Sequence, residues 1–202
     1  MIKAAIFDFN GVVIANNDLA TFRAAARARG VWFPVFLLRY CLYNCAHLTG
    51  KLDSFAFWSR VLDNGQALSS QEFQALLAAP YKANKLVYAV LDLVAWLRRQ
   101  GVKCVLLTNT SDYQVAANKA LNRYKGFDAV ILSNEAKAMK PWPKAFRLAA
   151  QAAGARADEC IFVDDSWYNI WAARLLGFKA IACRSPAQLT ADLKKLFDHR
   201  LD

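Results

Sequence analysis

The chain has 202 residues, 56% hydrophobic and 21% charged, with a formal net charge of +10 and a pI near 9.5. That length fits one domain, or one domain with a modest insertion, and the apolar content excludes a disordered chain. The positive charge points to anionic partners, but the basic residues are scattered without a dense run, so an anionic small molecule is the expected companion and nucleic acid the competing explanation.

In chain order, Ile2–Phe7 is a β-branched and aromatic run that reads as a strand ending at Asp8. Nothing leader-like precedes it, and the five cysteines (Cys41, Cys45, Cys104, Cys160, Cys183) show no disulfide-like spacing, so a cytoplasmic location is expected. An all-helical stretch follows, with helices expected at 17–29, 33–47, 51–62 and 69–78. Asp53 or Ser54 suits the start of the third, and Ser69 with Glu72 makes a capping-box pattern for the fourth. The most apolar stretch, Val31–Ala46, carries Pro34 and Arg39 and is too short to span a bilayer. It reads as a buried or pocket-lining helix, with oligomer contact as the alternative. Cys41 and Cys45, one turn apart beside His47, read as small hydrophobes rather than a metal site.

A helix at 85–99 places Leu86, Val90, Leu93, Val94 and Leu97 on one face and stops at Gly101. Strands at 102–107, 129–132, 160–163 and 179–182 then alternate with helices at 112–124, 143–153, 167–176 and 187–198. This alternation implies an α/β class: a Rossmann-like parallel sheet sandwiched by helices, with an inserted all-helical cap. The expected division is a core of residues 1–14 and 84–202 and a cap of residues 15–83.

In an open parallel sheet, ligands bind at the carboxyl ends of the strands. Three polar runs sit at such ends: Asp8-Phe9-Asn10-Gly11, Thr108-Asn109-Thr110-Ser111 and Asp164-Asp165-Ser166. A fourth element, Lys140-Pro141, precedes the helix leading to the Asp164 strand. Folding would gather Asp8, Asp164 and Asp165, whose mutual repulsion calls for a cation. An oxygen-only set favours magnesium over zinc. Thr108 and the backbone N–H groups around it suit phosphate oxygens at a helix start, and Lys140 supplies a screening positive charge. Phosphoryl transfer asks mainly for such positioning and charge stabilisation.

These four elements, in this order, resemble the motifs of the haloacid dehalogenase superfamily, in its branch with a small helical cap after the first strand. The resembling runs are Ile6 to Val13, Leu107-Thr108-Asn109, Lys140-Pro141 with Pro143 and Phe146, and Phe162 to Ser166 with Asn169, Ala172-Ala173 and Gly177. The resemblance implies a nucleophilic Asp8 that also ligates Mg²⁺, and a position-10 backbone carbonyl on the metal. It further implies phosphate binding by Thr108 and Asn109, and a Lys140 that orients the nucleophile. Asp164 would ligate the metal directly, Asp165 would do so through water or would pair with Lys140, and Gly11 would permit the turn. The substrate implied is a small phosphate monoester.

Asn10 departs from the pattern, because family phosphatases usually have a second Asp there as general acid and base. An amide has no proton to transfer at neutral pH, and such help is typically worth about 10²–10⁴ in rate. Three readings follow: a phosphatase specialised for good leaving groups, a catalytically impaired phosphate-binding or regulatory module, and a dehalogenase, against which the Asp164-Asp165 pair argues. Trp142 narrows the pocket, stacks on a substrate ring, or covers the next helix. Ser111 and Ser166 suit helix caps. His47 and His199 are given no catalytic role, and Arg39 and Lys51 are candidate substrate contacts.

Overall fold

The computed structural model describes residues 1–15 and 18–198. His199 and residue 17, the expected start of the first helix, fall outside them. The first strand, β1 (Ala4–Phe7), leads into helices α1 (Asp18–Ala28), α2 (Phe33–Leu48), α3 (Ser54–Val61), α4 (Ser70–Phe73) and α5 (Ala79–Ala83). Then come α6 (Tyr88–Arg99), β2 (Lys103–Thr108), α7 (Asp112–Ala120), β3 (Ala129–Leu132), α8 (Ser133–Ala136) and α9 (Pro143–Ala153). β4 (Cys160–Asp164), α10 (Trp167–Leu175), β5 (Lys179–Ala182) and α11 (Pro186–Asp198) complete the order.

The five strands form one parallel sheet in the order β3-β2-β1-β4-β5. The two-residue period of a strand divides β1 between two cores. Ala5 and Phe7 pack with Val90, Leu93 and Leu97 of α6 and Leu189 and Leu193 of α11. Ala4 and Ile6 pack with Phe146 and Ala149 of α9 and Ile170 and Ala173 of α10. Helices therefore cover both faces, which is why the strands are almost wholly apolar. The inserted helices have a third core of their own, built on Phe36, Phe57, Trp58, Val61 and Leu77.

Several elements differ from the sequence expectation. Asp53 caps α3 by accepting Ala56 N–H at 2.8 Å, so that helix starts at Ser54 rather than at 51. The fourth helix does not stop at 78. It continues through a π-helical turn, Gln74–Ala78, into α5. Pro80 lacks an N–H and its ring crowds the preceding turn, which a wider turn accommodates. The helix expected at 112–124 ends at Ala120, and Arg123 instead donates to the Lys82 and Asn84 carbonyls. The apolar helix α2 is not buried all round: Leu37, Leu38 and Leu42 are exposed, while Tyr40, Asn44, His47 and Leu48 turn to a cavity. No described helix is long and apolar enough to cross a membrane.

Among the bonds that tie the inserted helices to the rest of the fold are those of Ser54 and Ser133. Ser54 at the start of α3 donates its N–H to both Asp112 oxygens, at 3.1 and 3.2 Å, and its hydroxyl bonds Asp112 as well. The buried Ser133 hydroxyl donates to the Leu48 carbonyl at 2.6 Å.

Candidate active site

Because β1 and β4 are adjacent and in register (Phe7 beside Val163), Asp8 and Asp164 emerge side by side at the carboxyl edge. Asp8, Asp164 and Asp165 each offer an oxygen within 4.8 Å of the others. Lys140 is 1% exposed and reaches both inner carboxylates, at 2.7 Å to Asp8 Oδ1 and 2.6 Å to Asp164 Oδ2. It does not pair with Asp165, whose carboxylate accepts the Ser166 hydroxyl at 3.2 Å. Asp164 is held further by Ser166 N–H at 2.8 Å and by Asn169 Nδ2 at 3.1 and 3.0 Å. Phe9 N–H donates to Asp8 Oδ1 at 2.6 Å.

Gly11 makes the close approach of Asp165 possible. Its φ is +85°, and a Cβ there would lie 2.7 Å from the Asp165 carboxyl carbon. Asn10 stands on the cavity wall, with its backbone bridged to Ile14.

Burial raises the Asp8 carboxyl to about 7; Asp164 pushes the same way and Lys140 opposes. Burial alone would lower the Lys140 ammonium, but the Asp164 and Asp8 carboxylates outweigh it and hold it charged. Burial also raises Asp165, with Asp164 adding to it. Three carboxylates against one ammonium form an under-neutralised, oxygen-only set. That donor set fits a hard divalent cation such as magnesium, which would be held by Asp8, Asp164 and Asp165 and would neutralise the cluster.

The β2 loop is arranged differently from expectation. Asn109 touches the cavity, but its side chain clasps the Lys140 backbone, donating to the carbonyl and accepting the N–H, both at 2.8 Å. Thr108 is 1% exposed, does not line the cavity, and has only a long 3.4 Å contact to the Asn109 carbonyl. Two loop N–H groups expected to face phosphate are already bonded: Thr110 to Ser133 Oγ at 2.9 Å and Ser111 to Gln114 Oε1 at 3.3 Å. Ser166 occupies the cap position of α10, yet its hydroxyl bonds Asp165 and makes no capping bond. Arg39 and Lys51 are not on the cavity wall: Arg39 bonds the Asp63 carbonyl and Lys51 is exposed. Trp142 is 45% exposed and also stands away from the cavity.

The cavity has a volume of about 340 Å³, at the low end for small-molecule sites. Its floor is Asp8, Asn10, Asn109, Lys140, Asp165 and Asn169, and the opposite wall is made by Phe22, Tyr40, Asn44, His47, Phe57 and Trp58 of the inserted helices. Asp18 and Tyr113 also line it. Burial lowers the His47 imidazole below its usual value, and the ring stacks on Phe57 at 4.0 Å. Sequence reading missed Asp18 and Asn44, gave His47 no role, and gave Asn169 a place in the fourth motif without a role. A signal for the α2 residues existed: Tyr40, Asn44, His47 and Leu48 recur at helical spacing.

Comparison with known proteins agrees with this fold. The model of the haloacid dehalogenase-like hydrolases matches residues 2–177. The Putative phosphatase YhcW of Bacillus subtilis is 25% identical over 100% of this chain and 92% of its own. The phosphoglycolate phosphatase of Pseudomonas fluorescens is 29% identical over 64% of this chain, a match that spans 53% of that protein. In fold, the chain resembles a haloacid dehalogenase family enzyme of Bacteroides thetaiotaomicron crystallised with magnesium and inorganic phosphate. Its TM-score is 0.65 at 23% identity, covering 90% of this chain and 94% of that one. A family match over most of the chain and a carboxylate cluster at the sheet edge lead to one conclusion: this chain belongs to the haloacid dehalogenase-like hydrolases.

Proposed function

We propose that the chain is a magnesium-dependent phosphatase for a small phosphate monoester, working through an aspartyl-phosphate on Asp8 and favouring good leaving groups. The observation that carries this reading is the cluster of buried Asp8 and Asp164 with exposed Asp165, the first two held by a single Lys140, beside a small cavity. Magnesium, held by Asp8, the Asn10 carbonyl, Asp164 and Asp165, would supply charge stabilisation for the phosphoryl oxygens. An Asp8 carboxylate oxygen attacks phosphorus, and the ester P–O bond breaks. Lys140 opposes the burial that raises the Asp8 carboxyl and holds that carboxyl in place, and Asn109 fixes Lys140 by its backbone. Water then attacks the phosphorus of the aspartyl-phosphate and releases phosphate, restoring the Asp8 carboxylate.

Asn10 has no proton to give the departing oxygen and no basic site to activate water. Leaving groups that need little protonation, such as aryl or anomeric oxygens and acyl groups, suit this site. Residues 15–83 serve as the cap that excludes water, a role supported by their own core and by bonds such as those of Ser54 and Ser133 to the rest of the fold. The phosphatase names of the two relatives support the phosphatase class, and the carboxylate cluster disfavours a metal-free dehalogenase. Asn10 itself favours a second reading, a phosphate-binding module without useful turnover.

The test is phosphate release with and without magnesium from aryl, acyl, sugar and simple alkyl phosphates. Asn10→Asp is expected to raise kcat on every ester by restoring the base for the second step, by about 10²–10⁴, and most on the alkyl esters, whose leaving oxygen it also protonates. No release from any ester, even by Asn10→Asp, would leave the binding module.

A further inference from the structure

We propose that the outer face of α10 and the basic groove beside it seat on an anionic lipid surface, so that the catalytic cavity opens next to the bilayer. Nothing in this depends on the phosphatase reading.

α10 has two unlike faces. Asn169, Ile170 and Ala173 are buried, and the last two belong to the core beneath the sheet. Trp167, Trp171 and Leu175 recur every four residues on the other side, each at least 61% exposed. Tyr168, also exposed, stands beside them with its ring centre 6.0 Å from that of Trp167. These four side chains leave an apolar patch on the order of 500 Å² in water, at the upper end for the largest patch of a monomer. A patch of that size marks a surface that meets something.

What flanks the patch says which partner fits. At the first turn of α10, Tyr168 lines the catalytic cavity. At the last turn, Arg174 lines an open groove beside the edge strand β5, together with Arg184 and Lys195. Among the described residues of that groove the single carboxylate is Asp192, which accepts a bond from Gln188. α10 itself contains no Asp or Glu. Asp158 and Glu159, in the turn packed against β5, are paired with Arg156 and Lys3. Across the cavity, α2 also contains no Asp or Glu and exposes Leu37, Leu38 and Leu42. Trp and Tyr are enriched at the membrane–water interface, where apolar burial and attraction of cations to anionic headgroups act together. A second copy of this chain would set cation against cation at a net charge of +10. A nucleic-acid strand would meet the cations but offer the leucines no hydrocarbon.

The experiment is co-sedimentation of the full chain with vesicles of phosphatidylcholine alone and with about one-third phosphatidylglycerol, at low and high salt. Binding to the anionic vesicles is expected to be at least about tenfold stronger, to weaken with salt, and to shift tryptophan fluorescence to the blue. Trp167→Ser with Trp171→Ser should weaken binding to both vesicle types roughly tenfold. Arg184→Ala and Lys195→Ala, both at exposed positions, should each weaken binding to the anionic vesicles alone, about fivefold. Should the double tryptophan variant fail to fold, Leu175→Ser makes the same comparison. No binding to anionic vesicles, equal binding to the two types, or binding that none of these variants moves overturns the proposal. A stable dimer that the tryptophan variant dissociates would give the patch to a second copy, and preference for a single-stranded oligonucleotide over vesicles would give it to nucleic acid; either overturns it as well.

Discussion

In metal-free protein, Asp8→Asn is expected to change how stability depends on pH. Asp8 is 7% exposed and shares a buried corner with Asp164 and one ammonium, and burial raises its carboxyl from 3.8 to about 7. The folded state therefore holds this proton more tightly than the unfolded chain does. As pH rises from about 4 to about 7 the unfolded chain ionises first, so folded stability falls across that window. At roughly 1.4 kcal/mol per decade of proton affinity, the loss is about 4 kcal/mol. Asp8→Asn has no such group, so wild-type stability minus variant stability should drop by about that amount between pH 4 and 8. Urea denaturation in EDTA at half-unit pH steps measures it. Saturating magnesium should abolish most of the drop by neutralising the cluster. A difference that stays flat with pH, or that grows in favour of the wild type, would refute the burial argument.

Asn109→Ala removes both bonds that clasp the Lys140 backbone, so kcat should fall about 100-fold, the scale of an ångström-size misplacement, with KM changed little. Steady-state kinetics on an aryl phosphate checks this. Gly11→Ala puts a Cβ against the Asp165 carboxylate at a φ of +85°, and should cost about 1–3 kcal/mol in thermal unfolding and weaken magnesium binding by calorimetry. Asp112→Ala cuts the tie to Ser54 at the start of α3, so limited proteolysis within residues 33–83 should accelerate while the sheet stays protected.

The sheet and the acidic corner were legible because each depends on local pattern. Apolar runs bounded by Gly11, Gly101, Gly154 and Gly177 mark the punctuation of the elements, and polar residues at three strand ends mark the site edge. The partnerships across that edge were not legible. Asn109 reads as a phosphate ligand by its position, but its partner is the Lys140 backbone, 31 residues away. The bond of Asn169 in α10 to Asp164 at the end of β4, and that of Thr110 to Ser133 in α8, are likewise partnerships between elements that residue pattern does not name. The fourth helix runs past its expected end at 78 because the π-helical turn before Pro80 absorbs the ring. Arg39 looked like a substrate contact by charge alone; the face of α2 that meets the cavity is set by Tyr40, Asn44 and His47.

The central claim is that Asp8 is phosphorylated and that Asn10 leaves the second step without a base. Rapid quenching of the wild type with an aryl phosphate and magnesium, followed by peptide mass spectrometry, tests it most directly. The account predicts a burst of leaving group approaching one equivalent per chain, with a phosphoryl group on the Asp8 peptide that diminishes in Asn10→Asp and vanishes without magnesium. Turnover with no phosphorylated Asp8, or a phosphoryl group on any other residue, would contradict it.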